Sequence, residues 1–313
     1  MNSDLHTAKT NKKDEFYTSI EDIEKEIPFY EPAGFLGKVM LLPCDTASSS
    51  FWKFFCQNFK KLGLYKLICS SISGEVFIYD GTSVTSYTPE DGGDFRSKHV
   101  QELMQSSDII VTNPPFSLFR EFYSLVRKND KKFIILGNVN AITYREVFPD
   151  IVSGITKLGA SIHSGDREFL VPDDYPLEGT ACRTDGLGRK FIRVKGVRWF
   201  TNMRFTYDGL EPVVLENKYS KEHYPKYDTY DAINVNSGKE IPYDYEYAMG
   251  VPITVLDRAD SHGDIKFLAP DGTIIRFRMF GMLNSGNGKN CDYAKPVING
   301  NMKFKRILII RQK

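Results

Sequence analysis

"SSDIIVTNPPFSLFREF", residues Ser106 to Phe122, sets the short apolar run Ile109-Ile110-Val111 against Asn113-Pro114-Pro115-Phe116, with a helix-like stretch directly behind. A run this short, bounded by turn residues, reads as a buried strand. In an open α/β sheet ligands bind beyond the carboxyl ends of the strands, so Asn113 stands where reactive side chains are presented. Two successive prolines fix φ, and Pro114 drives Asn113 itself out of the α region. The loop is stiff by construction.

Working outward, the same rhythm repeats on both sides. Val39 to Leu42 reads as a buried strand ending at Pro43-Cys44-Asp45. "SSSFWKFFCQNFKKLG" follows as a helix with an apolar face at Phe51, Phe54, Phe55 and Phe59 and a stop at Gly63. Tyr65 to Cys69 makes a second strand, Val76 to Tyr79 an extra hairpin strand, and His99 to Met104 a short helix. After the Asp108 to Thr112 strand, "FSLFREFYSLVRKN" is helical by period with Leu118, Phe122 and Val126 on one face, and Lys132 begins a further strand. Near the start, Asp14 or Thr18 caps a helix containing Ile20, Ile23 and Ile27. Alternating strands and helices predict an α/β fold, a Rossmann-like sheet covered by helices on both faces. Beyond about Phe205 helical periodicity fades and tyrosines cluster. Short strands such as Ile253 to Leu256 and Ile274 to Phe277 alternate with Gly and Asn turns. The expected organisation is a disordered tail over 1–13, a catalytic domain over 14–205 and a smaller α+β or mostly β region over 206–313.

Composition narrows the class. A chain of 313 residues with 41% hydrophobic content can bury a substantial core, and a net charge of +1 provides no overall field to recruit an acidic partner. Cys44, Cys56, Cys69, Cys182 and Cys291 are odd in number and lack CxxC spacing, which points to reduced thiols without disulfides or zinc. No run resembles a membrane span or a secretion signal. The expected location is the cytoplasm.

The chemistry of the opening stretch follows from its acceptors. The Asn113 amide oxygen and the Pro114 carbonyl can both accept from one exocyclic NH2 group, which would aim the nitrogen lone pair at an electrophile. Phe116 can stack on the ring that carries the amine. That describes methyl transfer to an amino group held in a planar system. Gly93-Asp94-Phe95 upstream suits a carboxylate and an aromatic wall for an adenine ring, and Cys44-Asp45 with the serine-rich helix start suits an amino acid moiety. Phe16-Tyr17-Thr18 can pack over a bound cofactor. Taken singly, each piece also has a plain structural use, as a stiff turn, a helix cap or core.

As an ordered set, "DEFYT", "LLPCDTASSSFW", "GGDF" and "VTNPPF" resemble the S-adenosylmethionine-dependent adenine-N6 DNA methyltransferases of the EcoRI type. "VKGVRWFTN", "YDAINV", "IPYDYEYAMGVPITVLD" and "FKRILIIRQK" extend the resemblance from about Asp14 to the C-terminus. It implies a catalytic loop at Asn113, Pro114, Pro115 and Phe116. It places the adenine of S-adenosylmethionine at Asp94 and Phe95, its methionine part at Cys44 and Asp45, and Phe16, Tyr17 and Thr18 over it, with Asn113 reaching the same site. Two departures stand out. "LPCDTAS" replaces the usual FxGxG pattern, and "LYKLICSS" ends without the acid that binds ribose hydroxyls, for which Glu75 offers a substitute.

The resemblance also implies double-stranded DNA as partner and a flipped adenine, in bacterial or phage restriction-modification or epigenetic marking. A cognate restriction endonuclease acting on the same site is one partner such a role allows, and a monomer is expected because a methylase reads one hemimethylated strand at a time. An adenine inside a duplex cannot reach such a loop without flipping. Phe116 supplies one stacking face, and Trp199 and Phe200 are candidates for the other. The stretch from Arg183 to Arg204 is locally basic, with Arg193, Lys195 and Arg198 as DNA-contact candidates, and alternation in "FIRVKGVRWF" would put several of its cations on one strand face, toward phosphates. Lys303, Lys305 and Arg306 near the C-terminus are further phosphate candidates. Methylation of RNA adenine or of a protein glutamine amide, and a catalytically inactive DNA-binding module, are the competing readings. No strongly shifted general base is required, because the amine loses its proton after attack and catalysis consists of positioning and electrostatics.

Overall fold

Short apolar runs separated by amphipathic stretches assemble the central sheet of the chain. The computed structural model describes residues 16–163, 166–173, 181–206, 215–256, 265–270 and 295–311. The chain divides into two units, 1–207 and 208–313.

The first unit begins with α1 (Ile20–Glu26), capped by Ser19, whose Oγ accepts from the Asp22 N–H at 3.2 Å. The expected cap at Thr18 is therefore displaced by one residue, Asp14 lies outside the described residues, and Ile27 turns into a 3-10 segment with Pro28. There follow β1 (Val39–Leu42), α2 (Ser50–Leu62), β2 (Lys66–Ser70), β3 (Val76–Tyr79), β4 (Val84–Tyr87), α3 (Lys98–Ser106) and β5 (Ile109–Thr112). After these come α4 (Phe119–Lys128), β6 (Lys132–Asn138), α5 (Phe148–Val152), β7 (Lys157–Leu158), β8 (Asp166–Val171), β9 (Cys182–Thr184), β10 (Lys190–Lys195) and β11 (Val197–Thr201).

Eight of these strands form one sheet in the order β4-β3-β2-β1-β5-β6-β11-β7. The inner four run parallel, and the pairs at either side are antiparallel. The chain passes outward from β1 to β2 and then returns across β1 to β5. Strand order thus reverses between β1 and β5, which makes their carboxyl ends the topological switch point. Met40, Leu42, Ile109, Val111, Ile134 and Leu136 cluster on one face with side chains of α1 and α2. On the other, Phe133 and Phe200 meet Tyr123 and Phe119 of α4 with ring centroids 5.8 and 5.1 Å apart. Both faces are covered, which is why the inner strands read as unbroken apolar runs.

β8, β10 and β9 form a separate antiparallel sheet. The stretch expected to be one strand, "FIRVKGVRWF", breaks at Gly196, whose φ of +70° is left-handed. A Cβ there would lie 2.9 Å from the Val139 side chain. β10 and β11 consequently belong to different sheets, and Arg198 on β11 does not share the exposed face of Arg193 and Lys195 on β10.

The second unit contains β12 (Ile233–Asn234), β13 (Met249–Pro252), β14 (Ile265–Pro270), β15 (Val297–Ile298), β16 (Asn301–Met302) and β17 (Arg306–Arg311). A four-stranded sheet runs β12-β13-β17-β14, with β15 and β16 as a separate hairpin. Ile253 to Leu256, expected as a strand, coils into a 3-10 segment. Pro252 pairs with Arg306, the first residue of β17, so no partner strand remains beyond it. Ile274 to Phe277 lies outside the described residues, as does the 1–13 tail. Tyr224, Tyr227 and Tyr230 are buried, and Tyr243 and Tyr247 are exposed. Among the described residues, no helix is long and apolar enough to cross a membrane, no side-chain cluster is suited to a metal ion, and Cys44, Cys56, Cys69 and Cys182 form no disulfide.

Candidate active site

Asp45 ties the three strand ends at the switch point together. Its N–H donates to the carbonyl of Ser70, the last residue of β2, at 3.0 Å, and its Oδ2 accepts from Thr112 Oγ1 of β5 at 2.7 Å. The carboxylate is buried, and no basic side chain pairs with it among the described residues. Burial raises its pKa to about 6, against hydrogen bonds from Thr112 and Ser49 that lower it. Such a group is poised to receive a cation, because an opposite charge restores the ionised form. Next to it, Ser49 caps α2 by accepting from the Trp52 N–H at 3.1 Å. The α2 N-terminus therefore opens on the same space.

The "GGDF" loop is held against the β2–β3 turn by close backbone approach. A Cβ on Gly93 would lie 2.2 Å from the Ser71 carbonyl oxygen, so no larger residue fits without moving that turn. Phe95 is buried against Phe122, centroids 5.2 Å apart, with the Arg96 guanidinium over its ring. Arg96 Nε and Nη2 donate to Asp94 at 2.8 and 2.6 Å, and these bonds hold the Asp94 carboxyl below its usual range. Asp94 keeps acceptor capacity on Oδ2, since a carboxylate offers about four lone-pair sites.

Asn113 follows β5 and is anchored from the N-terminal segment. Its Nδ2 donates to the Phe16 carbonyl at 2.7 Å, which fixes the amide plane. The remaining Oδ1 is buried and has no hydrogen-bond partner among the described residues. Buried acceptors are rarely left unpaired, and such exceptions call for a ligand or a function. Tyr17 bridges to β8, its N–H donating to the Leu170 carbonyl at 2.9 Å. The Phe16 ring lies edge-on to Phe116 at 5.6 Å and against Phe169 at 5.7 Å.

These groups converge on one cavity of about 650 Å3. Phe16, Tyr17, Thr18, Cys44, Asp45, Asp94, Phe95, Asn113 and Pro115 all line it. Pro114, between Asn113 and Pro115 in the same loop, is buried. Phe116 faces a second cavity of about 810 Å3 that shares Leu118 with the first and includes Asn138, Asn140 and Tyr144. Residues of the Asn113–Phe116 loop thus line a cavity on either side. Ser71, Ile72, Ser73, Arg96 and Leu170 also line the first cavity and were missed in the sequence reading. The three that follow β2 were accessible to the strand-end rule, whereas Leu170 arrives by a long-range bridge that has no local signal. Glu75 is exposed and is not part of the cavity wall, so it is no substitute for the missing acid.

Four expected DNA-contact residues need correction. Trp199 and Phe200 are fully buried in β11, Trp199 edge-on to Phe51 at 6.0 Å and Phe200 against Phe119. They are core and cannot stack on a base. Arg198 is 3% exposed, donating to the carbonyls of Val197 and His163, because the turn at Gly196 sends it inward. Arg306 is 7% exposed and donates to Asn234 Oδ1 and to the Phe304 carbonyl. Arg193, Lys195, Lys303 and Lys305 are exposed. Within the basic stretch, Arg183 pairs with Glu168 and Arg189 with Asp185, the latter at 2.7 Å, so their charge is partly spent inside the chain.

Comparison with known proteins agrees with this geometry. The family model for the adenine-specific methyltransferase EcoRI matches residues 4–87 and 78–313. The type II methyltransferase M.EcoRI of Escherichia coli is 40% identical, covering 97% of this chain and 95% of its own. M.MgeORF184P of Mycoplasma genitalium is 34% identical over 98% of each chain, and M.MpnI of Mycoplasma pneumoniae 37% identical over 81% of each. No solved structure gives a significant match. The chain belongs to the EcoRI family of adenine-specific methyltransferases, enzymes that methylate adenine in DNA.

Proposed function

We propose that the enzyme transfers a methyl group from S-adenosylmethionine to N6 of an adenine turned out of duplex DNA. The cofactor would occupy the switch-point cavity and the base the cavity beside Phe116. The observation that carries this reading is the unpartnered, buried Oδ1 of Asn113, whose amide is held at the wall of the first cavity by its bond to the Phe16 carbonyl. The first cavity suits the cofactor in size and in chemistry, with a cation-seeking carboxylate at one end and Phe95 at the other.

When bound, S-adenosylmethionine supplies a methyl carbon made electrophilic by its sulfonium. Asp45 receives the ammonium of the methionine part, and the α2 N-terminus favours its carboxylate. Asp94 and Phe95 hold the adenine ring. Asn113 Oδ1 and the Pro114 carbonyl accept from the target amine and turn its lone pair toward the methyl group, and the departing proton goes to water. Positioning and fixed dipoles supply the rate enhancement. The reading brings with it a Rossmann-like catalytic unit, a target-recognition role for the second unit, monomeric action and a cognate endonuclease for the same site.

Cofactor binding at different pH tests the assignment of Asp45. Below about pH 6 the carboxyl takes up a proton and loses its attraction for the ammonium, so affinity is expected to fall as pH drops from 8 to 5. Binding should release a proton near pH 6, and Asp45→Asn should weaken binding at pH 8 and flatten the profile. A wild-type affinity independent of pH across this range would contradict the assignment.

Tyr144 takes the role once expected of Trp199. It shares the second cavity with Phe116, and the Arg120 guanidinium sits 4.7 Å from its ring centroid. Stacking on a base contributes roughly 1–3 kcal/mol. Tyr144→Ala is therefore expected to lower kcat/KM for DNA by about 5–150-fold with cofactor affinity unchanged. Unaltered methylation at subsaturating DNA would remove Tyr144 from the base site.

A further inference from the structure

Phe304 is 89% exposed, and Met302 beside it is 66% exposed. Both lie on a segment whose intervening and following residues, Lys303 and Lys305, are exposed lysines. A large apolar side chain so fully in water ordinarily marks a contact surface.

The segment is held at both ends. β15 and β16 pair through the turn at Asn299-Gly300, and the Gly300 N–H donates to Asp228 Oδ2 at 2.9 Å. The Lys303 N–H donates to the Pro296 carbonyl at 2.7 Å. On the other side the buried Arg306 guanidinium donates to the Phe304 carbonyl at 3.1 Å and to Asn234 Oδ1 at 3.3 Å. β17 then enters the four-stranded sheet. Arg306 thereby acts as a pin, and Phe304 projects from an ordered backbone with cations on both sides.

Building on the methyltransferase reading, we propose that Phe304, flanked by Lys303 and Lys305, is a wedge that inserts between base steps of the DNA substrate. Proteins that kink or unstack DNA use apolar side chains in this way. The flanking cations select the occupant, since a duplex presents phosphates on both sides of any base step. The wedge opens the stack, and Met302 widens the apolar surface offered to the parted bases.

The test uses the full-length protein and a duplex carrying a site mapped by sequencing of DNA it has methylated. Phe304→Ala is expected to lower kcat/KM for DNA about 10-fold or more, as lost base stacking does elsewhere, while leaving S-adenosylmethionine binding unchanged. Lys303→Ala with Lys305→Ala should reduce the slope of log affinity against log salt by roughly two. Phe304→Trp should show indole emission quenched, and shielded from acrylamide, when the duplex is added. Full activity of Phe304→Ala together with unquenched emission of Phe304→Trp would overturn the proposal. So would concentration-dependent dimerisation abolished by Phe304→Ala, which would make this surface a contact between copies. If the wild-type protein incorporates no methyl label into DNA, the fault lies with the underlying reading, whereas wild-type activity with an indifferent Phe304→Ala faults the wedge alone.

Discussion

Asn113→Ala is expected to reduce methyl transfer by about 10^2–10^3-fold, the usual consequence of removing one preorganised group that acts in the transition state. The substitution deletes the buried, unpartnered Oδ1 proposed above as an acceptor for the target amine. It also deletes the Nδ2 bond to the Phe16 carbonyl, a net loss of about 1 kcal/mol in stability. Folding should therefore survive, and DNA affinity should be nearly unchanged because no phosphate contact is touched. Single-turnover methylation with saturating DNA and cofactor isolates the chemical step from binding. Turnover within a few-fold of wild type would remove Asn113 from the reaction.

Trp199→Ala is expected to act on the fold. The side chain is fully buried in the core shared by α1, α2 and the inner strands. Truncating a buried tryptophan costs about 3–5 kcal/mol through lost burial and the void left behind. Urea unfolding should show the unfolding free energy lowered by that amount and the midpoint lowered with it, and Trp199→Phe, which leaves a smaller void, should lose less. Tyr144→Ala, at a half-exposed cavity wall, should stay within about 1 kcal/mol of wild type and lose activity instead. The opposite pattern, with Trp199→Ala stable and inactive, would restore Trp199 as a base-stacking residue.

These contrasts show which features a sequence exposes. β1, β2, β3, β5 and β6 and the helices α2 and α4 follow from local periodicity, because each buries a regular face within one element. The cavity residues Cys44, Asp45 and Asn113 were legible because they follow parallel strands directly, where the chain must turn at the sheet edge. Pattern reading failed where a single backbone angle redirects the chain. At the left-handed Gly196 the chain leaves one sheet for another, so Arg193 on β10 ends outside while Arg198, on the wholly buried β11, ends inside. Arg306 looks like one more cation of a basic tail, and only the long-range approach of Asn234 shows that it is buried. Leu118, expected on the buried helix face, sits in a 3-10 turn ahead of α4 and lines both cavities.

The most direct test of the account is the destination of the methyl group. The purified protein would be incubated with tritium-labelled S-adenosylmethionine and, separately, unmethylated bacterial genomic DNA, total RNA and a cell protein extract, followed by nucleoside and amino acid analysis. The account predicts label in DNA alone, recovered as N6-methyladenine. Label in RNA or in a protein glutamine, or no transfer by a protein that binds the cofactor, would contradict it.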